Sequence, residues 1–387
     1  MTFHSLISDL SVNSFRIVSV VWFVLMTLVD TAPAADFKPL FNGRDLSGWV
    51  LVNTPAETWS VQDDMLICSG KPIGEIRTDR MYQNFILEVE WRHMVPGGNA
   101  GIFVWADDIT AKGVPFHRSV EIQVLENAYG QSPTHTTHGD IFPIHGATMT
   151  PVNGRGGSRA FPTEERSKPS PEWNHYRIEC RDGSVTLAVN GKAVTRGLNA
   201  SLRKGYICIE SEGGVVHYRN VKIQELPDTP VTSEQTAIAD RGYRSFYNGL
   251  NLTGWKTSKD GLQHWKSNDW ILAYDGKAAD IAGATLTSSE SVVNQSFLLD
   301  IKPGSEFEAV TVCGIRLTKD QLTSGEWSRI EVNSAADRIV LRITGGTETF
   351  TSENPVATSA TFNLHVTGAA EFANAYVRKR SGNGEWE

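Results

Sequence analysis

A nine-residue signature occurs twice in this chain. Phe41-Asn42-Gly43-Arg44-Asp45-Leu46-Ser47-Gly48-Trp49 returns as Tyr247-Asn248-Gly249-Leu250-Asn251-Leu252-Thr253-Gly254-Trp255, each an aromatic-Asn-Gly turn leading to a Trp of the kind that gets buried. Further landmarks follow in the same order. Trp59-Ser60-Val61 matches Trp265-Lys266-Ser267, Phe85 to Val89 matches Phe297 to Ile301, and Gly101-Ile102-Phe103 resembles Gly314-Ile315-Arg316. Arg177-Ile178-Glu179, preceded by Glu172-Trp173, resembles Arg329-Ile330-Glu331, preceded by Glu326-Trp327. The chain therefore holds two copies of one domain. In the first copy 71 residues separate Gly101 from Glu172; in the second 12 separate Gly314 from Glu326, so 59 are missing there. A scaffold that survives such a loss marks the segment as dispensable for folding and available for function.

The scaffold itself reads as β. Phe85 to Arg92, Val120 to Leu125, Tyr176 to Cys180, Val185 to Val189, Tyr206 to Glu210 and His217 to Ile223 alternate apolar and polar residues. Asp182-Gly183 and Asn190-Gly191 are hairpin turns. Many short strands without a sustained helical period predict an all-β fold of tandem jelly-roll sandwiches. Pro227 to Asp240 lacks periodicity and reads as a linker.

At the N-terminus, Ile17 to Val29 is an apolar run after Arg16, followed by Ala32-Pro33-Ala34-Ala35. This pattern fits a secretory signal and is too short to span a bilayer. The expected division is a signal at 1–35, a first sandwich at 36–227, a linker at 228–240 and a shortened second copy at 241–387. Such a chain is exported, periplasmic or extracellular, with no membrane attachment after cleavage. Net charge of -8 and an isoelectric point near 5.7, with no basic cluster, argue against nucleic acid as a partner. Four cysteines permit disulfides in that compartment; Cys180 and Cys208, both in strand-like runs, face each other or remain buried thiols.

The sharpest chemical constellation is Glu121-Ile122-Gln123-Val124-Leu125-Glu126. Ile122 and Val124 belong to the core, which leaves Glu121 and Gln123 on the open face. Glu126 joins them only if the strand ends or bulges first. Upstream, Asn99, Phe103 and Trp105 lie beside the Gly97-Gly98 pair, and aromatic rings beside polar groups suit a sugar. Downstream, His135, His138, Asp140 and His145 lie in a long Gly/Pro-broken stretch. The histidines offer either proton transfer or a divalent metal site, without the tight spacing of zinc. No cofactor is demanded, and the metal question stays open.

These landmarks resemble the 3-keto-disaccharide hydrolase domain family, concanavalin A-like β-sandwiches common in exported bacterial proteins. The residues that carry the resemblance are Phe41-Asn42-Gly43 with Gly48-Trp49, Ile76-Arg77-Thr78, Asn99 to Phe103, Glu121 to Glu126, Gly139-Asp140-Ile141, Glu172-Trp173-Asn174 and Gly205-Tyr206-Ile207. The second copy matches only at scaffold positions. The resemblance implies a carbohydrate substrate whose ring carries a ketone. A base removes the proton beside that ketone, the glycosidic oxygen leaves by elimination, and water adds back. It suggests Glu121 as base, with His145 or Glu126 serving the leaving group. Arg77 or Asn99 would steady the enolate oxygen, while Phe103, Trp105, Gln123, His138 and Asp140 line the substrate site. The strand is also similar to that of laminarinase-type retaining glycosidases, except that Gln123 stands where those enzymes carry Asp. Such a glycosidase, or a lectin that binds without turnover, is the alternative.

Overall fold

Apolar residues at every second position give Phe85–His93, Asn174–Arg181, Ser184–Val189 and Val216–Glu225 one dry face each. The computed structural model pairs these strands within one nine-stranded sheet. Leu187, Ile178, Leu87 and Ile223 stand opposite one another across it and form one layer of the core. Residues 36–239, 242–291, 294–335, 338–352 and 361–379 are described by the structure; the expected export signal lies outside them.

A six-stranded sheet covers that face, in the order Trp49–Val52, Gly74–Thr78, Tyr206–Ser211, Gly101–Ala106, Ser119–Gln123, Ile141–Ile144. Its inward residues Ile76, Ile209, Ile102 and Ile122 sit in register and meet Trp59, Trp91 and Tyr176 in the same core. Truncating one of these fully buried rings typically costs about 3–5 kcal/mol. The alternation that aims these isoleucines inward aims their neighbours outward, and those neighbours build the site.

The second sandwich repeats the strand order of the first with one strand fewer in each sheet. Its eight-stranded sheet places Gln295–Pro303 where the first has Phe85–His93, and Ala370–Lys379 where the first has Val216–Glu225. A five-stranded sheet faces it. The signature turns match in their hydrogen bonds. Asn42 Oδ1 accepts from the N–H groups of Arg44 and Asp45, and Asn248 Oδ1 from those of Leu250 and Asn251. Trp49 and Trp255 each donate from Nε1 to the carbonyl nine residues earlier, at 3.2 Å. Among the described residues, Ile141–Ile144 and Thr150–Pro151 have no counterpart in the second pair of sheets, and both lie in the segment the second copy lacks.

Residues 228–239 of the expected linker run along the first sandwich. Gln83 donates to the Thr229 carbonyl at 2.6 Å, the Arg203 N–H to the Gln235 carbonyl at 2.7 Å and the Ala237 N–H to the Lys204 carbonyl at 2.7 Å. All four cysteines are buried thiols. Cys180 belongs to the core of the first sandwich, whereas Cys208 alternates with Ile207 and Ile209 and points out of it. The two therefore do not face each other, and burial pushes both thiols well above their ordinary pKa.

Candidate active site

The outward face of the six-stranded sheet carries carboxylates from three strands. Glu210 stands opposite Glu75, Phe103 stands opposite Glu121, and Gly101 opposite Gln123. Gly101 is what lets the acids approach. A Cβ there would stand 2.8 Å from Glu210 Oε2 and 3.0 Å from Glu121 Oε1, so any side chain would push the two apart. Just past the strand end, Glu212 accepts a hydrogen bond from Asn99 Nδ2. Asn99 Oδ1 accepts in turn from Gln123 Nε2 at 3.0 Å. Asn99 and Glu212 also line an open cleft of about 430 Å³ with Ile73, Gly97, Gly98 and Gly213, a size that suits a small ligand.

Burial and mutual repulsion keep these acids from ionising together. Burial first, then the charge of Glu212, pushes Glu121 up to about 8, against the opposing pull of Arg159. Burial and Glu121 hold Glu210 well above the carboxylate range, and burial raises Glu212. The three titrate as one group. Near neutrality Glu210 keeps its proton and Glu121 is partly ionised, which is the division of labour an acid and a base need.

The long segment absent from the second copy supplies the cation. Arg159 donates from Nη1 to Asp140 at 3.1 Å and to Gln123 at 3.5 Å, with its guanidinium 3.3 Å over the Phe142 ring. Asp140 is fully buried and also accepts from the Thr136 N–H and hydroxyl. Its fixed carboxylate holds the Arg159 guanidinium beside Glu121.

A second segment, residues 107–118, closes over the other end of the row. A bidentate Arg118–Asp107 pair at 2.9 Å ties its base, and Arg77 Nε donates to the Asp108 carbonyl at 3.1 Å. Its crown is held by the second sandwich. Asp300 accepts from the Gly113 N–H at 2.8 Å, Asn374 donates to the carbonyls of Ala111 and Val114, and Arg329 donates to that of Thr110 at 2.9 Å. Gly113 has φ +78°, and its absent Cβ would stand 2.3 Å from the Trp327 indole, so backbone and ring fit only with glycine there. Asp300 and Arg329 are the repeat counterparts of Glu88 and Arg177. In the first copy that pair is part-exposed and faces outward; in the second, Asp300 is fully buried and the pair anchors this segment.

The residues expected to form the site divide into four sets. Glu121, Gln123, Asn99, Phe103 and Asp140 lie on or around the acidic row. Arg77 borders it, but its guanidinium is taken by the carbonyls of Asp108 and Thr78 and stacks on Tyr206 at 4.5 Å. Glu126, Trp105 and His138 have other work. The strand ends at Gln123, and the Glu126 carboxylate accepts from the N–H groups of Gly97, Ala128 and Ser170 at 2.6, 2.8 and 2.9 Å. Those bonds hold its pKa below the usual range despite burial, which removes it as a proton donor. Trp105 adopts φ +55°, is fully buried and donates to the Gln83 carbonyl, so it is core and no sugar platform. His138 Nδ1 accepts from the Ser167 N–H at 3.3 Å. His145 is exposed at the end of Ile141–Ile144; partial desolvation and the neighbouring His117 lower its pKa, leaving it neutral at pH 7. His135, His138 and Asp140 do not converge as metal ligands. Glu75, His117, Arg159, Glu210 and Glu212 escaped the sequence reading. For Glu210 a signal existed, since Tyr206, Cys208 and Glu210 alternate with Ile207 and Ile209.

Residues 36–224 match the family model described as a 3-keto-alpha-glucoside-1,2-lyase-like domain. A relative described as a 3-keto-disaccharide hydrolase, from Bacteroides thetaiotaomicron, is 26% identical over 238 residues, covering 50% of this chain and 79% of its own. Among solved structures, a Parabacteroides distasonis chain assigned provisionally to the glycosyl hydrolases is 21% identical with a TM-score of 0.38, covering 49% of this chain and 94% of its own. A Bacillus licheniformis beta-glucanase is 13% identical with a TM-score of 0.34, covering 50% and 99%.

Proposed function

Taking residues 36–224 as a domain of the 3-keto-alpha-glucoside-1,2-lyase-like family, we propose that the protein cleaves glycosidic bonds of 3-keto-disaccharides or 3-keto-glycosides by elimination followed by hydration. The observation that carries this reading is the buried acidic row with Glu121 raised to about 8. Removing a proton from a carbon beside a ketone calls for a base stronger than an ordinary carboxylate, and a buried glutamate of raised pKa is one. Glu121 takes the proton from the carbon between the ketone and the anomeric centre. The electron pair moves onto the ketone oxygen, where Arg159 supplies positive charge. The enolate then returns its electrons and expels the glycosidic oxygen, which takes the proton of Glu210. Addition of water across the new double bond gives the free 3-keto sugar.

A retaining glycosidase is the second reading, because Glu121 and Glu210 each bring an oxygen within 3.0 Å of one point beside Gly101, and such an enzyme needs two neighbouring carboxyl groups. The test is mass spectrometry of the purified protein incubated with a 3-keto-glucoside and, in parallel, its unoxidised parent. Release of 3-keto-glucose or its dehydrated glycal from the oxidised substrate alone is expected. Cleavage of the plain glycoside moves the assignment to the glycosidase, and turnover of neither substrate contradicts both.

A further inference from the structure

We propose that Glu75, His117 and Cys208 form a binding site for one divalent cation of zinc type. The three come from separate elements: Gly74–Thr78, the 107–118 segment and Tyr206–Ser211. Their ligand atoms all lie within 4.8 Å of one another, and each residue has zero exposure. His117 Nε2 approaches Glu75 Oε1 to 2.6 Å, yet the contact lacks the direction of a hydrogen bond. Both Glu75 oxygens and both His117 ring nitrogens are without a hydrogen-bond partner. Leaving that many buried polar atoms unpaired is costly, and a shared cation satisfies the carboxylate and one imidazole nitrogen together.

The chemistry of the set selects the ion. A thiolate with an imidazole and a carboxylate suits zinc and its neighbours, whereas calcium and magnesium take oxygen ligands alone. Charge balances too. On binding, Cys208 releases its thiol proton to solvent, so thiolate, carboxylate and dication sum to zero in a site with no access to water. Three protein ligands leave a fourth position open on a tetrahedral ion. This site goes beyond the elimination chemistry, and its test reads bound metal instead of turnover, so either can fail alone.

The test uses the full chain, produced without a histidine tag in zinc-supplemented medium and dialysed before metal analysis by mass spectrometry. One retained zinc per chain is expected, and cobalt in its place gives the near-ultraviolet absorption of a thiolate–cobalt bond. Cys208→Ser abolishes that absorption and Cys313→Ser keeps it; His117→Gln loses the retained metal with its circular dichroism unchanged. Should Cys208→Ser not fold, the unmutated protein and His117→Gln decide the matter. Substoichiometric metal in the unmutated protein overturns the site and leaves a plain Glu75–His117 pair. Stoichiometric metal without thiolate absorption overturns the assignment of Cys208.

Discussion

Glu121→Gln lowers kcat on a 3-keto-glucoside by about 10²- to 10⁴-fold, the usual contribution of a positioned base, while substrate still binds. The same substitution stabilises the fold at high pH. In the folded protein Glu121 holds its proton up to about 8, whereas the unfolded chain releases it near the ordinary value of about 4.3. A raised carboxyl pKa thus contributes stability that is fully present below the unfolded value and is lost as pH rises through the folded one. The neutral glutamine has no such dependence. Thermal melts of the two proteins coincide near pH 4 and separate by pH 9, with the variant ahead by on the order of 5 kcal/mol. A gap that stays constant with pH contradicts the assignment of a raised pKa. The rate of the unmutated protein should climb with pH toward about 8, as the base becomes ionised.

Asp300→Ala, in the sandwich without the acidic row, costs about 3–5 kcal/mol and lowers activity as well. Arg329 loses its bidentate partner, and the Gly113 N–H and the Asn374 amide lose the acceptor they share. The 107–118 segment, which closes over one end of the acidic row, then loses its anchor. Glu88→Ala is the control, because Glu88 holds the repeat-equivalent position on a part-exposed face, where such pairs contribute at most about 1 kcal/mol. Denaturant midpoints and kcat for both variants decide the matter. Equal losses would mean that the second sandwich does not support the site.

These two residues also show what was legible in the sequence. The alternation through Ile122 and Val124 was enough to turn Glu121 toward the groove, and the paired turns at Asn42 and Asn248 announced the duplication. Facing is a property of one strand and survives translation from sequence to space. Neighbourhood across strands is not. Glu210 meets Glu121 only because Gly101 lies between them, and that register is set by pairings between residues a hundred positions apart. Arg159 reaches the row from an irregular stretch with no period to place it. Trp105 and Glu126 were misjudged for a shared reason: composition near a site does not reveal which way a residue turns. A left-handed backbone aims Trp105 into the core, and an early strand end hands Glu126 to three backbone N–H groups. The role of Asp300 was hidden because its charge pair is inherited from the repeat and acquired a new partner only through the packing of one sandwich on the other.

If the bond breaks after a carbon-bound proton is removed, turnover of a 3-keto-glucoside in heavy water places solvent hydrogen on that carbon. One deuterium is expected in the 3-keto sugar, on the carbon between the ketone and the anomeric centre, at a level above the exchange measured in remaining substrate. Glu121→Gln is expected to suppress deuterium incorporation and cleavage together. Product formed at full rate with protium retained at that carbon would contradict elimination and assign the acidic pair to direct displacement.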